Sequence, residues 1–301
     1  MKRPGFNVSD LDLRQGTLAA ALSAASYSTA VVFVRYAYRA GLSSGTAIFL
    51  RFAIASAILI LFLRSTGRWV RLPTAQVRAL FLLGLICYTV MGSTWFAALG
   101  MIPAWLVSLF IALHPLTITI GNWLVFRQPI GRQQSLALAA VLLGGIVLFW
   151  HPYEGAALGG MLLMLVNTLA TATYVVAGQR YVHDPDPAVS TAWTILGATV
   201  GTLLYALFSR QLSLQFAPVG WLWVALLALF PTVFAIVFLW QGVALIGPPR
   251  ASVVGSLEPL FSILLAVYIL GERMSLQQVM GGAVILAGVL LVRLRRTSEV
   301  D

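Results

Sequence analysis

The sequence predicts an all-α membrane protein, with ten transmembrane helices arranged as two inverted five-helix repeats around a central cavity. Three observations carry that expectation. The chain is 60% hydrophobic and only 9% charged, with a mean hydropathy of +0.92, whereas a soluble domain is about 45–50% apolar and about 25% charged. Apolar stretches recur along it, each long enough to cross about 30 Å of hydrocarbon as a helix that satisfies its own backbone. The sequence also repeats itself. A shift of 144 residues carries Leu113-His114-Pro115-Leu116 onto Leu257-Glu258-Pro259-Leu260, Gln133-Gln134 onto Gln277-Gln278, and Gly144 onto Gly288.

The first fifteen residues are polar and carry Lys2, Arg3, Asp10, Asp12 and Arg14. The apolar stretch that follows is long and lacks a small-residue cleavage site, so it reads as a permanent first span and not as a leader. The spans are expected near 16–38, 45–63, 77–98, 103–126, 134–150, 157–180, 189–208, 220–243, 250–270 and 276–294. Turn formers or charges separate them, as in Arg64-Ser65-Thr66-Gly67-Arg68, Arg127-Gln128-Pro129-Ile130-Gly131, His183-Asp184-Pro185-Asp186-Pro187 and Gly247-Pro248-Pro249. No loop is long enough for an extramembrane domain. The single Cys87 leaves no disulfide or metal framework.

The net charge of +10 comes from 18 Arg and one Lys. Nucleic acid is not the expected partner, because the charge gathers at span ends, where it holds loops in the cytoplasm. Fourteen of these residues fall on the termini and the loops after spans 2, 4, 6 and 8, against Arg35, Arg39, Arg210 and Arg273 on the other side. Both termini are therefore expected inside. Five spans per half make the copies 1–150 and 151–301 face opposite ways, the arrangement that supports alternating access. The high Arg-to-Lys ratio fits a GC-rich bacterium, and the expected location is the bacterial inner membrane.

In these features the chain resembles the drug/metabolite transporter superfamily, EamA type. The residues that carry the resemblance are Arg35 and Leu50-Arg51-Phe52 in the first half. In the second half they are Leu257-Glu258-Pro259-Leu260, Gly271-Glu272-Arg273, Gln278, Gly281 and Ala287-Gly288-Val289. The resemblance spans nearly the whole chain and implies export of small metabolites, amino acids or drugs. One position departs from it: Gln128 stands where that pattern has Glu in the first half.

Ionisable groups inside a bilayer are costly, so each needs a reason. Glu258 reads either as a proton or substrate-amine site, or as a hydrogen-bonding group at the backbone that Pro259 opens. His114, its repeat partner, reads as a proton carrier or as a packed core histidine. Arg51 reads as a clamp for a substrate carboxylate, or as a structural or snorkelling residue. Arg35 is expected to anchor at an interface. Pro115 and Pro259 each delete a backbone donor, and are candidate hinges or fixed kinks. Asn167 and Asn122 are the leading amides for lining the cavity, with Tyr27, Tyr88 and Tyr174 beside them. Trp95 and Trp240 gate the cavity or belong to an interfacial belt with Trp69, Trp150, Trp221 and Trp223. Gly197-x-x-x-Gly201 and the run from Gly281 to Gly288 are expected to let helices approach closely.

The expected function is a secondary transporter exporting small metabolites, amino acids first and aromatic or hydrophobic ones among them, by alternating access. The alternatives are a lipid-carrier flippase or a drug/cation efflux transporter; the small four-helix type of the latter needs an acid in span 1, and none is there. Expected partners are a small-molecule substrate, protons and membrane lipids; no oligomeric state is read. No cofactor is expected: there is no phosphate loop for ATP and no metal-ligand cluster. An enzyme is not expected, since neither a pair of acids on one helix face nor a nucleophile elbow is read.

Overall fold

The computed structural model describes residues 10–127, 158–178 and 187–298, and short helical pieces between 135 and 147. The described residues are helical, with no strand among them. Seven helical stretches are long and apolar enough to cross a membrane: Leu11–Arg39, Ser44–Ser65, Thr74–Met101, Ala104–Phe126, Leu158–Gly178, Ala188–Phe208 and Val219–Gly247. These correspond to the expected spans 1–4 and 6–8. The expected ten are thus not all full-length helices. Spans 9 and 10 contribute the shorter apolar helices Glu258–Tyr268 and Leu276–Ala287. Most of span 5, with Trp150, and the loops 128–134 and 179–186 lie outside the described residues.

Local chemistry explains where the helices break. Span 1 is interrupted at Thr29, between helices Asp10–Ser28 and Ala30–Arg39. There the hydroxyls of Ser28 and Thr29 donate to the carbonyls of Ala25 and Ser26 at 2.6 and 2.7 Å, competing with the backbone ladder. Span 2 opens with Ser43 as its cap, accepting from the Thr46 N–H. Span 4 is two helices, Ala104–Ala112 and His114–Phe126, broken at Leu113. Span 9 breaks likewise at Ser256-Leu257, and its second helix starts at Glu258. Each Pro falls in the first turn of the second helix, where its missing N–H costs nothing and the break lies just upstream.

Spans 8 and 9 are separated by Gly247 alone, at φ 79°, a backbone conformation open to glycine. Spans 3 and 4 are separated by Ile102-Pro103, and Pro103 stands 144 residues before Gly247. The pseudo-symmetry therefore reaches the reversals.

Spans 3 and 8 also share a defect. Each carries one π-helical turn, Gly84–Tyr88 and Leu229–Phe234. In both, a threonine hydroxyl reaches back five residues: Thr89 to the Gly84 carbonyl at 3.3 Å, and Thr232 to the Leu227 carbonyl at 3.1 Å. In span 8 the reason is visible in the sequence. Pro231 has no N–H, so the Leu227 carbonyl loses its helical donor. In span 3 the widened turn is packed against span 7. A Cβ on Gly84 would lie 1.9 Å from the Thr194 carbonyl oxygen, and one on Gly197 would lie 2.1 Å from that of Phe81. The Gly197-x-x-x-Gly201 pattern therefore works as expected, and its partner is the bulged helix.

The halves interleave. Span 1 runs along span 8, where Ala20 meets Gly242 and Ser23 Oγ donates to the Ala235 carbonyl at 2.8 Å. Ile48, Phe96 and Trp105 are buried in the core that joins them. Leu61, Leu124, Leu169 and Leu207 are exposed, as a lipid-facing surface requires.

Candidate functional site

Breaks and bulges place a polar cluster in the middle of this apolar body. Tyr27 sits beside the interruption of span 1, Tyr88 ends the bulge of span 3, and Glu258 starts the second helix of span 9. Arg51 comes from span 2. Tyr27, Arg51, Tyr88 and Glu258 all act on one another electrostatically. Tyr174 of span 6 meets Tyr88 edge-on, with ring centroids 5.3 Å apart, and shares a hydrogen bond with Thr194. Phe52 closes the other side of Tyr88 at 5.6 Å.

Arg51 is tied to the opposite half. Its Nε donates to Thr232 Oγ1 at 3.0 Å and its Nη2 to the Pro231 carbonyl at 3.2 Å. Its guanidinium also lies over the rings of Phe52 and Phe96, at 5.4 and 5.9 Å. The residue read as a carboxylate clamp or as a structural or snorkelling group thus stitches span 2 to the bulge of span 8. Two of its five donors are used there.

A second polar group adjoins the first. His114 Nε2 is 3.2 Å from Asn167 Oδ1, and Asn167 Nδ2 donates to the Met91 carbonyl at 2.6 Å. The Met91 carbonyl can only accept. The Asn167 amide is therefore oriented with its oxygen toward His114, so Nε2 of that imidazole carries the proton. Spans 3, 4 and 6 meet through this one buried amide. Asn122 is half-buried about two turns beyond His114 on the same helix. Trp95 is half-buried and packs edge-on against Phe96 at 5.2 Å. Trp240 is half-buried against the main core; among the described residues its buried Nε1 has no hydrogen-bond partner.

Two cavities lie at opposite ends of span 4. One, of about 600 Å³, runs from Thr117 to Phe126 and is walled by Leu169, Ala172 and Val176 of span 6. The other, of about 610 Å³, is lined by Arg35, Arg39, Ile102, Trp105, Glu272 and Arg273, among others. Here the chain is clamped. Glu272 Oε1 and Oε2 accept from the N–H groups of Ala104 and Trp105 at 2.9 and 3.1 Å. Arg35 Nη2 donates to the Ile102 carbonyl at 2.7 Å and lies 3.5 Å from Glu272 Oε1. Arg35, expected as an interfacial anchor, is part of a clamp between the halves.

The sequence model of the EamA-like transporter family matches residues 14–150 and again residues 158–294. The chain belongs to the EamA-like transporter family. Among the relatives of this EamA-like chain is an uncharacterized transporter of Archaeoglobus fulgidus, 29% identical over 284 residues, 93% of this chain and 96% of that protein. Another is the uncharacterized transporter YyaM of Bacillus subtilis, 24% identical over 80% of this chain and 81% of that protein. A crystal structure superposes with a TM-score of 0.66 at 20% identity, covering 94% of this chain and 99% of that one. That likeness concerns the fold alone.

An EamA-like transporter of this shape moves a small molecule through a membrane, and the cluster's composition is suited to one. It offers a guanidinium with spare donors, a carboxylate, a protonated imidazole nitrogen and three phenols. The partners Thr232, Pro231 and Met91 were not legible beforehand, being backbone or hydroxyl groups of distant helices. Pro231 inside an apolar span was the one available signal for the bulge. Sequence reading also passed over Gly41-Leu42-Ser43-Ser44-Gly45, which has the spacing of a nucleophile elbow. Its Ser43 caps span 2 and donates to the Gln211 carbonyl, with no strand leading into it. Among the described residues no group of three metal-ligating side chains occurs.

Proposed function

We propose that this EamA-like protein is a secondary transporter that exports small zwitterions, amino acids with aromatic or apolar side chains first among them, by alternating access. One observation carries the reading. Arg51 and Glu258 come from opposite halves and lie close enough to act on each other, with Tyr27 and Tyr88 in the same electrostatic group. A guanidinium takes a carboxylate in bidentate fashion, and a carboxylate takes an ammonium. The phenols offer aromatic faces to the side chain between them. In this reading Glu258 holds the substrate amine or a coupling proton, and the breaks before His114 and Glu258 supply the hinges, with Pro115 and Pro259 fixing where they fall.

Access alternates by opening the Glu272 clamp at one end and closing the cavity beyond Thr117 at the other. The positive residues favour a bacterial inner membrane with both termini in the cytoplasm, which makes the clamped face periplasmic. The cavity beyond Thr117 favours one other reading. It is walled by apolar residues and bordered by the exposed Leu124 and Leu169, which suits a lipid-linked cargo.

The experiment is uptake of a labelled amino-acid panel into proteoliposomes, with and without a pH gradient, for wild type, Glu258→Gln and Arg51→Lys. Saturable uptake of aromatic or apolar members, accelerated by the gradient in wild type but not in Glu258→Gln, is expected. If no amino acid moves and a fluorescent phospholipid is flipped instead, the lipid reading replaces this one.

A further inference from the structure

On the clamped face, cationic charge is concentrated in one place. Arg35, Arg39 and Arg273 line the same cavity of about 610 Å³, and Glu272 is the acid beside them. These are three of the four positive residues that the sequence assigns to this side, Arg210 being the fourth. The acid does not cancel them. Glu272 directs both oxygens to the N–H groups of Ala104 and Trp105, and stands 3.5 Å from Arg35, too far for a good hydrogen bond. Arg35 Nε is buried and has no hydrogen-bond partner among the described residues. Arg39 lies over the Tyr36 ring at 5.1 Å, which holds its guanidinium at the cavity wall. Arg273 is exposed at the rim.

We infer that this cavity is an anion site, separate from the Arg51 cluster, that takes the carboxylate of a small soluble organic anion between Arg35, Arg39 and Arg273. The formal charge of the lining side chains is +2, so a dianion is matched better than a monoanion. Guanidinium forks are suited to carboxylate or phosphate oxygens, and a phospholipid headgroup would offer the same chemistry. The clamp that borders it has no counterpart in the repeated sequence. A shift of 144 residues carries Ala104 and Trp105 onto Pro248 and Pro249, which have no N–H, and Glu272 falls on Gln128. The site belongs to one face and does not depend on which substrate passes the middle.

Binding of succinate and of inorganic phosphate to the full chain, purified in a phospholipid-free detergent, tests this by calorimetry at constant ionic strength. Saturable succinate binding is expected. It should weaken about tenfold in Arg39→Gln/Arg273→Gln, which loses two partly exposed charge contacts. It should persist in Arg51→Gln, which alters only the central cluster. An unliganded melting temperature equal to wild type shows that the double variant is folded. Repeating the titration in nanodiscs separates the two sources. An affinity in phosphatidylcholine and phosphatidylglycerol discs equal to that in detergent identifies a soluble anion, and loss in either disc identifies a lipid phosphate and overturns the soluble assignment. Absence of saturable binding by wild type, or an unchanged affinity in the double variant, overturns the site.

Discussion

Glu272 and Arg35 are the ion pair of this fold's clamped face, yet the carboxylate does most of its bonding elsewhere. At 3.5 Å the two charges are neighbours, while the backbone N–H groups of Ala104 and Trp105 hold the same oxygens at 2.9 and 3.1 Å. An acid from the second half thus serves as the N-terminal cap of a helix in the first, where the helix dipole also favours it.

Replacing Glu272 by Gln therefore removes the charge and leaves one acceptor for two donors. The expected cost is about 1–2 kcal/mol, read as a lower melting temperature in detergent. Arg35→Gln is expected to cost less, because its loss leaves the cap in place. Equal effects of the two would mean that the ion pair, and not the cap, fastens the face.

Arg51 and Thr232 form a relay from span 2 into the bulge of span 8. Thr232→Val keeps the shape but removes both the acceptor for Arg51 and the donor to the Leu227 carbonyl. A double-mutant cycle with Arg51→Gln is expected to give a coupling energy of about 1–2 kcal/mol. Strict additivity would show that the two side chains do not depend on each other.

The orientation of Asn167 fixes which imidazole nitrogen of His114 is protonated. Glutamine places an amide N–H near the position of Nε2, and asparagine does not reach it. His114→Gln is expected to retain the stability and uptake of the wild type better than His114→Asn. The reverse order in a melting and uptake comparison would sink the assigned tautomer.

Span 3 can lie against span 7 only if Gly84 has no side chain, since its Cβ would strike the Thr194 carbonyl. Gly84→Ala is expected to cost about 3 kcal/mol or more and to abolish monodisperse protein on size-exclusion chromatography. Gly100→Ala, where the nearest atom would be 3.9 Å away on Tyr38, serves as the tolerated control.

Much of this architecture could be read in advance because bilayers impose simple rules. Long apolar runs became helices, the paired His114-Pro115 and Glu258-Pro259 steps coincided with breaks, and Gly197 and Gly201 sat at a tight contact. Span count was less legible. Glu258-Pro259 divides span 9, so a run of apolar residues long enough for one helix yields a short one. The π-turns were not legible either, because a bulge leaves the hydropathy pattern intact. The partners of Arg51 are a hydroxyl and a carbonyl 181 and 180 residues away, and no local pattern announces them. The Glu272 cap was nearer to hand. Gln128 departs from the expected Glu, and the backbone it would have capped is Pro248-Pro249, which has nothing to donate.

That pair of prolines makes the pseudo-twofold design lopsided. A duplicated fold with identical fastenings would rest equally in either posture, like a balance with equal arms. On the proposed mechanism one arm is weighted: Glu272 makes two charge-assisted hydrogen bonds on one face, and even one of them, at about 1.5–3 kcal/mol, would favour that posture by roughly tenfold or more. If the halves alternate as proposed, the chain idles with its Arg35 side fastened, and a cargo arriving from the opposite side meets the protein already waiting for it.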